Sequence, residues 1–277
     1  MADPTTFHFR LPRYTGAALP EPPHAWYPGI RGLHPLCTSD RRARGGDGRV
    51  RAFVIHATEG DSSAGAVTRM AEHAGSWHWL VPDENEPQHG NLVWACAPES
   101  RAAWHVQNSK SHPDVNNGSR LVNYWSLGVE IVNSQRNDPF SSWQVEQTAA
   151  LVRYAWSKYP DLVDVVSHAK LDPLRRSDPG AGFPWEEFRE LVLTAPTPAV
   201  MAAQPMPRST AGPIQILAPS GIPIECDPRR LDGVTVAEAR PLVEALGFRV
   251  EYDDGPPLTM RILGDGGARP ARKKRAR

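Results

Sequence analysis

The stretch RAFVIHATEG at residues 51–60 decides the fold, because it is an apolar run that ends on the imidazole of His56. Val54 and Ile55 are β-branched and Phe53 is aromatic, and these residue types favour a buried strand. In α/β folds the ends of the strands form the rim of the sheet, where functional sites gather. A lone histidine in this position is more often satisfied by a neighbour than used as a ligand. The rest of the chain has to decide between these two interpretations.

A second apolar run, at residues 162–167, ends on another imidazole, His168, and Asp178 follows ten residues later. Two imidazoles and one carboxylate are enough protein ligands for a catalytic zinc ion, and they leave the fourth tetrahedral position for water. Zinc hydrolases of the HExxH type are excluded, because the sequence lacks that string. We therefore predict a Zn²⁺ site formed by His56, His168 and Asp178.

Five motifs follow one another in a fixed order along the chain. They are the strand ending on His56, SWHWLV at 76–81, AWH at 103–105, LGVEIVN at 127–133, and His168 with DPG at 178–180. In this order they resemble the type 2 N-acetylmuramoyl-L-alanine amidases, a zinc family that includes phage lysozyme-amidases and peptidoglycan recognition proteins. The resemblance covers about residues 48–193. It implies hydrolysis of the amide bond between the lactyl group of N-acetylmuramic acid and L-alanine.

The order of the predicted elements indicates the fold class. Strand and helix segments alternate from residue 51 to residue 194, which predicts an α/β layer structure. The resemblance implies the same fold, with a central mixed β-sheet flanked by helices. A second, small α+β domain is predicted at the C-terminal end of the chain.

Glu130 is the only charged residue in the strand predicted at 127–133. An unpaired charge is costly to bury, so this carboxylate needs either a salt bridge to an arginine or a chemical role. The resemblance favours a base that takes a proton from the attacking water and passes it to the departing amine. Arg176 stands where many family members have a lysine, and the resemblance implies that it holds the oxyanion. Because arginine cannot shuttle a proton, that duty falls to Glu130.

Two aromatic–histidine pairs, Trp77–His78 and Trp104–His105, occupy positions that face the metal or the substrate in the family. The resemblance therefore implies that all four residues bind substrate. Some members have tyrosine where Trp77 stands. Because an indole cannot transfer a proton as a phenol does, we predict that Trp77 forms a wall of the cleft. For His105 the alternative is a surface-loop histidine. A binding-only peptidoglycan module would typically have lost a zinc ligand or the carboxylate, and here none is missing.

Composition points to a soluble protein, with 40% hydrophobic and 22% charged residues. No apolar run reaches the length of a membrane span, roughly 20 residues. The first twenty residues lack the basic start and apolar stretch of a secretory signal, so we expect a protein that stays in the cytoplasm or is exported by another route. If it is an endolysin, it reaches the wall after release. Cys37, Cys96 and Cys226 form no CxxC pair and are predicted to be free thiols.

Proline content and charge divide the chain into five predicted segments. These are an extended lead-in at 1–47, the zinc amidase domain at 48–194, a Pro/Ala-rich linker at 195–213, a small α+β module at 214–264 and a basic tail at 265–277. Within the module we predict a hairpin at 214–225, a helix at 235–246, and strands at 248–252 and 258–263. Its segments 232–235 and 240–248 resemble stalk-like modules of the copper amine oxidase N-terminal type. No copper site is implied, because the module contains no histidine.

The last nine residues carry six positive charges, which leaves 25 basic against 31 acidic residues, a net charge of −6, on the preceding 268. Such a tail is more typical of contact with an anionic polymer than of specific nucleic-acid recognition. The predicted partners are therefore peptidoglycan or a muropeptide, with a cell-wall polymer at the tail and the module. This combination favours a wall-lytic enzyme such as a phage endolysin. A cytoplasmic amidase that recycles muropeptides remains the alternative.

Overall fold

The computed structural model describes residues 2–194 and, beyond them, the segments 215–217, 223–224, 248–253 and 259–264. The chain divides into two units, residues 1–196 and residues 197–277. In the first unit the described strands are β1 (His8–Arg10), β2 (His24–Trp26), β3 (Thr38–Asp40), β4 (Ala52–Ala57), β5 (Trp79–Val81), β6 (Val93–Ala95), β7 (Arg101–Ala103), β8 (Ser126–Ile131) and β9 (Asp164–Ser167). The described α-helices of this unit are α1 (Ile30–Leu33), α2 (Ser63–Ala71), α3 (Ser142–Lys158), α4 (His168–Leu171) and α5 (Trp185–Leu193).

Seven of these strands form one mixed sheet in the order β1-β9-β4-β8-β5-β6-β2. The four central strands β9, β4, β8 and β5 are parallel, whereas β1 and β6 run antiparallel to their central neighbours. Strand β4 lies between two parallel partners and is buried along its whole length, which explains the continuous apolar run that predicts it. The architecture confirms the predicted α/β fold with a mixed central sheet.

The two faces of the central sheet are covered differently. Phe53 and Ile55 point into a large core together with α3 and α5, whereas Ala52 and Val54 pack against loop residues on the opposite face. Helix α3 begins with a capping box, in which Ser141 Oγ accepts from the Gln144 backbone N–H and the Gln144 side-chain oxygen accepts from the Ser141 backbone N–H. Because successive side chains of a strand alternate between the faces, His56 lies on the loop-covered face with Val54.

The lead-in at 1–47 is more closely integrated than predicted. Strand β1 pairs with β9 and strand β2 pairs with β6, so these residues supply both edge strands of the main sheet. Tyr27 is buried in a second core cluster against which Trp26 and Leu33 pack. The prediction of an extended segment on the domain surface is therefore corrected. Three-residue strands are too short to show a period of two, and their pairing depends on partners far along the chain.

Within the motif SWHWLV at 76–81, strand β5 begins only at Trp79. The backbone still pairs before that point, because the His78 N–H donates to the Gly128 carbonyl at 2.9 Å and the His78 carbonyl accepts from Cys96 at 2.8 Å. The first residues of this run therefore remain attached to β8. Cys37 and Cys96 are buried free thiols, as predicted.

The second unit contains a four-stranded sheet in the order β11-β10-β13-β12. Its strands are β10 (Gln215–Leu217), β11 (Pro223–Ile224), β12 (Phe248–Asp253) and β13 (Thr259–Gly264). The predicted antiparallel hairpin and the two later strands are confirmed. The linker, the helix at 235–246, Cys226 and the basic tail lie outside the described residues. Among the helices that the structure describes, none combines the length and the apolar character needed to cross a bilayer.

Candidate active site

Two central strands, β4 and β9, and one loop bring the predicted metal ligands to one edge of the sheet. His56 lies near the end of β4, and His168 follows β9 directly as the first residue of α4, whose N-cap is Ser167. Asp178 lies in the loop between α4 and α5, and its backbone carbonyl accepts from the Ala169 N–H at 2.9 Å. Because parallel strands end at the same edge of the sheet, residues 112 and 122 positions apart meet there.

The ligand atoms form a compact triangle. His56 Nδ1 lies 3.0 Å from His168 Nδ1 and 3.1 Å from Asp178 Oδ2, and the His168 Nδ1 to Asp178 Oδ2 distance is 3.0 Å. Ligands at about 2.0–2.1 Å from a tetrahedral zinc ion are about 3.3 Å apart, so the triangle has nearly the required size. Asp178 Oδ1 is buried without a hydrogen-bond partner. The donor set therefore fits a metal ion, as the sequence predicts.

The protonation states also suit metal binding. Burial lowers the pKa of His56 to about 4, and the neighbouring His168 adds to the effect, so the His56 imidazole is neutral at pH 7. Burial raises the pKa of Asp178, but the adjacent imidazoles of His168 and His56 outweigh it and leave the pKa below its usual value. A neutral imidazole and an ionised carboxylate are the forms that coordinate metals.

Glu130 stands next to this triangle. It is the register partner of His56 across β4 and β8, and it is only partly exposed. Burial raises the Glu130 pKa well above its usual value, the negative charge of Asp178 raises it further, and Arg176 opposes the shift. Within residues 2–194 no ion pair involves Glu130, so the structure does not show the salt bridge that was the alternative role for this carboxylate.

A cleft of about 790 Å³ opens over the triangle. Eight of the nine predicted site residues line it, namely His56, Trp77, Trp104, His105, Glu130, His168, Arg176 and Asp178. Trp104 is 38% exposed and its indole N–H donates to Ser39 Oγ at 2.9 Å, which holds the ring at the rim. Trp77 is buried in the wall, whereas Arg176 is exposed. The structure thus brings these residues into one cavity.

His78 is the predicted site residue that the structure places elsewhere. Its side chain is 0% exposed and does not line the cleft. Nδ1 accepts from the Gly128 N–H at 3.0 Å, while Nε2 lies 3.0 Å from the Arg101 carbonyl and 2.9 Å from the Arg41 guanidinium. The predicted substrate contact is corrected accordingly, because no polar atom of the ring faces the cleft. In a strand-like segment adjacent side chains point in opposite directions, so His78 and Trp77 cannot both line the cavity.

His105 lines the cleft but is only 8% exposed, which rules out the surface-loop alternative. Both ring nitrogens are engaged: Nδ1 lies 3.0 Å from His56 Nε2, and Nε2 lies 3.1 Å from Ser126 Oγ. Burial lowers the His105 pKa well below its usual value, and the nearby His56 adds to this. The imidazole therefore contacts a metal ligand through one nitrogen and the interior through the other.

Arg41 is a site-supporting residue that sequence reasoning missed. Its guanidinium is buried, and it donates to the carbonyls of Glu99 at 2.6 Å and Ser126 at 2.9 Å. Burial lowers its pKa to about 10, and Tyr159 and Glu99 partly oppose the shift. The residue lies in the polar run at 38–47 of the lead-in together with Arg42 and Arg44, so no local signal separates it from solvated charges.

Comparison with known proteins agrees with this geometry. The sequence model of the N-acetylmuramoyl-L-alanine amidase family matches residues 46–181, a range that includes all three ligands and Glu130. Residues 46–181 belong to the type 2 N-acetylmuramoyl-L-alanine amidase family. The matched range begins at residue 46, which is inside the predicted lead-in at 1–47.

The similarity between this chain and its relatives covers different shares of each relative's length. N-acetylmuramoyl-L-alanine amidase AmiD of Escherichia coli K12 is 28% identical over 206 residues, which are 68% of this chain and 72% of AmiD. The 1,6-anhydro-N-acetylmuramyl-L-alanine amidase AmpD of Salmonella typhimurium LT2 is 31% identical over 96 residues, 34% of this chain and 48% of AmpD. The chain thus matches about half the length of AmpD. The crystal structure of AmpDh3 from Pseudomonas aeruginosa superposes with a TM-score of 0.47 at 28% identity, covering 53% of this chain and 61% of AmpDh3.

Proposed function

We propose that this protein is a zinc-dependent amidase that cleaves the bond between the lactyl group of N-acetylmuramic acid and L-alanine. The observation that carries the proposal is the triangle of His56, His168 and Asp178 beside Glu130, inside a cleft of a type 2 amidase domain. His56 and His168 bind the ion through Nδ1, and Asp178 binds through its carboxylate. When bound, zinc supplies Lewis acidity towards water and towards the scissile carbonyl.

Glu130 acts as the acid–base group. It lies on the strand next to His56 and lines the same cleft, so its carboxylate can reach a water molecule at the metal centre. As a base it accepts the proton of the attacking water, and as an acid it returns that proton to the departing amine. Burial raises the Glu130 pKa, so this carboxyl group holds a proton more readily than an exposed glutamate does, which suits its role as the acid towards the departing amine.

Arg176 stabilises the developing oxyanion. It is exposed at the cleft and close enough to Glu130 and His56 for its charge to affect the pKa of both. A guanidinium donates several hydrogen bonds but keeps its protons, so it can bind negative charge without exchanging protons with substrate. This division of labour leaves proton transfer to Glu130.

The walls of the cleft suit a sugar with an anionic peptide. Trp77 and Trp104 provide aromatic surface at the cavity, and we propose that they contact the muramoyl part of the substrate. Arginines outnumber carboxylates among the charged lining residues, which are Arg44, Arg69, Arg175 and Arg176 against Glu59, Glu130 and Asp178. An excess of positive charge favours binding of the carboxylates in a stem peptide.

Two biological roles use this chemistry: recycling of soluble muropeptides and lysis of the intact wall. The names of the AmpD relatives, which specify a 1,6-anhydro-muramyl substrate, favour the first for this chain. The basic tail and the second unit are the features that favour the second. For the tail we propose contact with an anionic wall polymer, and removal of residues 269–277 should then reduce sedimentation with isolated walls at low salt. Unchanged sedimentation would contradict that contact.

The decisive experiment compares two substrates. Purified full-length protein is incubated with a defined 1,6-anhydro-muropeptide and, separately, with isolated sacculi, and the products are identified by mass spectrometry. We expect release of a free peptide beginning with L-alanine, with the soluble muropeptide turned over faster than the sacculi. Faster turnover of sacculi would support the wall-lytic role instead. Cleavage at any other bond, or none in the zinc-loaded protein, would overturn the proposed activity.

A further inference from the structure

Three buried side chains connect the metal centre to the interior of the protein in a single line. Ser126 Oγ lies 2.7 Å from the Val122 carbonyl oxygen and 3.1 Å from His105 Nε2. His105 Nδ1 in turn lies 3.0 Å from His56 Nε2. Each of these contacts has hydrogen-bonding distance, so the line runs unbroken from a backbone carbonyl to a ligand imidazole.

The direction of every hydrogen bond in this line follows from its first member. The Val122 carbonyl can only accept, so the single hydroxyl hydrogen of Ser126 is used there. Ser126 Oγ must then accept from His105 Nε2, and a neutral His105 has only a lone pair left on Nδ1. That lone pair accepts from the Nε2–H of His56. His56 Nδ1 is thereby left as a lone pair, on the side of the ring that faces Asp178.

This assignment has a consequence at the triangle. With its proton on Nε2, His56 presents an acceptor nitrogen 3.1 Å from the acceptor oxygen Oδ2 of Asp178. Two acceptors this close repel one another unless a cation lies between them. The hydrogen-bond line therefore prepares the geometry that a metal ion completes, and it does so through residues that do not touch the ion.

Two further contacts hold His105 in place for this task. Gly128 on β8 leaves room for the ring: a Cβ atom there would lie 2.8 Å from both Cγ and Nδ1 of His105. The Asn123 side-chain oxygen accepts from the backbone N–H groups of His105 and Val106, at 3.1 and 2.8 Å. Asn123 thus fixes the backbone of His105, and Gly128 leaves the space that the imidazole occupies.

We propose that His105 is a positioning residue that, backed by Ser126 and the Val122 carbonyl, directs the Nδ1 lone pair of His56 towards the metal. The inference rests on the proposed function only in assuming a metal at the triangle. This role differs from the substrate contact predicted for His105, because both nitrogens of its ring already have partners within the protein. Partners of this kind, which hold the far nitrogen of a metal-binding histidine, typically alter metal affinity 10–100-fold when removed.

The test measures zinc binding without substrate. Zinc affinity is determined for the full-length protein by competition with a chromophoric chelator, in wild type and in Ser126→Ala, His105→Ala and His105→Asn. We expect about 10-fold weaker binding in Ser126→Ala and up to about 100-fold in His105→Ala. His105→Asn should recover part of the loss, because its amide oxygen can accept from His56. Ser63→Ala, which removes another fully buried hydroxyl, bonded to Glu86, is the matched control and should bind as wild type does.

A second measurement reads the protons directly. In metal-free protein with ¹⁵N-labelled histidine, NMR should show the proton on Nε2 and the lone pair on Nδ1 in both His56 and His105. A proton on His105 Nδ1 would overturn the inference, as would wild-type zinc affinity in folded Ser126→Ala and His105→Ala. If His105→Ala fails to fold, Ser126→Ala alone decides. If wild-type protein binds zinc and the Ser126 and His105 variants bind it equally well, His105 has no positioning role, but the proposed amidase activity still stands.

Discussion

His56 and Glu130 are register partners on the adjacent parallel strands β4 and β8. Partners in register point to the same face of a sheet, so the His56 imidazole and the Glu130 carboxylate are neighbours by virtue of strand pairing alone. Strand β9, on the other side of β4, pairs Ser167 with Ile55 and therefore delivers His168 beside His56. His56 and Glu130 thus lie on central strands and His168 directly follows one, whereas Asp178 comes from a loop.

Replacement of Glu130 by glutamine should separate metal binding from catalysis. The amide keeps the size of the side chain but cannot accept a proton, so we expect unchanged zinc content and a turnover rate about 10²–10⁴-fold lower. Turnover of a defined muropeptide and metal analysis of the same sample provide the measurement. Glu72→Gln, at an exposed position after α2, is the control and should keep full activity. A wild-type rate in Glu130→Gln would contradict the acid–base role.

Removal of the metal should abolish activity and lower the melting temperature. The three ligands are buried against one another, and binding of an ion to the folded state alone stabilises that state by mass action. We expect the thermal transition of the chelated protein to rise again as zinc is added, together with activity. Magnesium should restore neither, because it prefers six oxygen ligands. Full activity in a sample shown to be free of metal would refute the proposed centre.

Gly128→Ala should displace the His105 ring, since the added Cβ would lie 2.8 Å from two of its atoms. Overpacking of this kind costs about 1–3 kcal/mol of unfolding free energy, and here it should also weaken zinc binding. Urea unfolding and chelator competition measure the two effects. Gly182→Ala is the matched control, because no atom lies within 4 Å of a Cβ at that position. Equal stability and zinc affinity in both variants would contradict the packing of His105 on β8.

Stability should fall with decreasing pH partly because of His78. Burial lowers the pKa of His78 to about 3, and the nearby Arg41 lowers it further. Between about pH 6.5 and pH 3 the unfolded chain therefore binds a proton that the folded His78 does not, which lowers the unfolding free energy by up to about 1.4 kcal/mol per pH unit. Above pH 6.5 both states are neutral and the effect vanishes.

His78→Gln should consequently show a shallower decline of unfolding free energy between pH 6.5 and pH 5 than wild type, whatever its absolute stability. Urea unfolding at several pH values gives the slopes. The exposed His73 provides the comparison, and His73→Gln should retain the wild-type slope. If the two variants decline in parallel, His78 does not remain neutral in the fold over this range.

Much of the fold could be read from local patterns. The apolar runs that end on His56 and His168 predicted two of the central strands, and Ser141 and Gln144 have the spacing of the capping box that begins the longest described helix. These features can be recognised in the sequence because a strand buried on both faces and a helix cap each need particular residue types at neighbouring positions. The edge strands in the lead-in were not predicted, because a three-residue strand forms only by pairing with a neighbouring strand that is distant in the sequence.

The candidate site divides in the same way. By itself the sequence determined which residue types are available and in which order, and this was enough to name His56, His168, Asp178 and Glu130. Only the tertiary structure decided that His78 faces the interior, that His105 lies between His56 and Ser126, and that Arg41 is buried among backbone carbonyls. The physical reason is that a hydrogen bond depends on distance and direction in space. Neither is encoded in the spacing of residues along the chain when the partners come from different strands and loops.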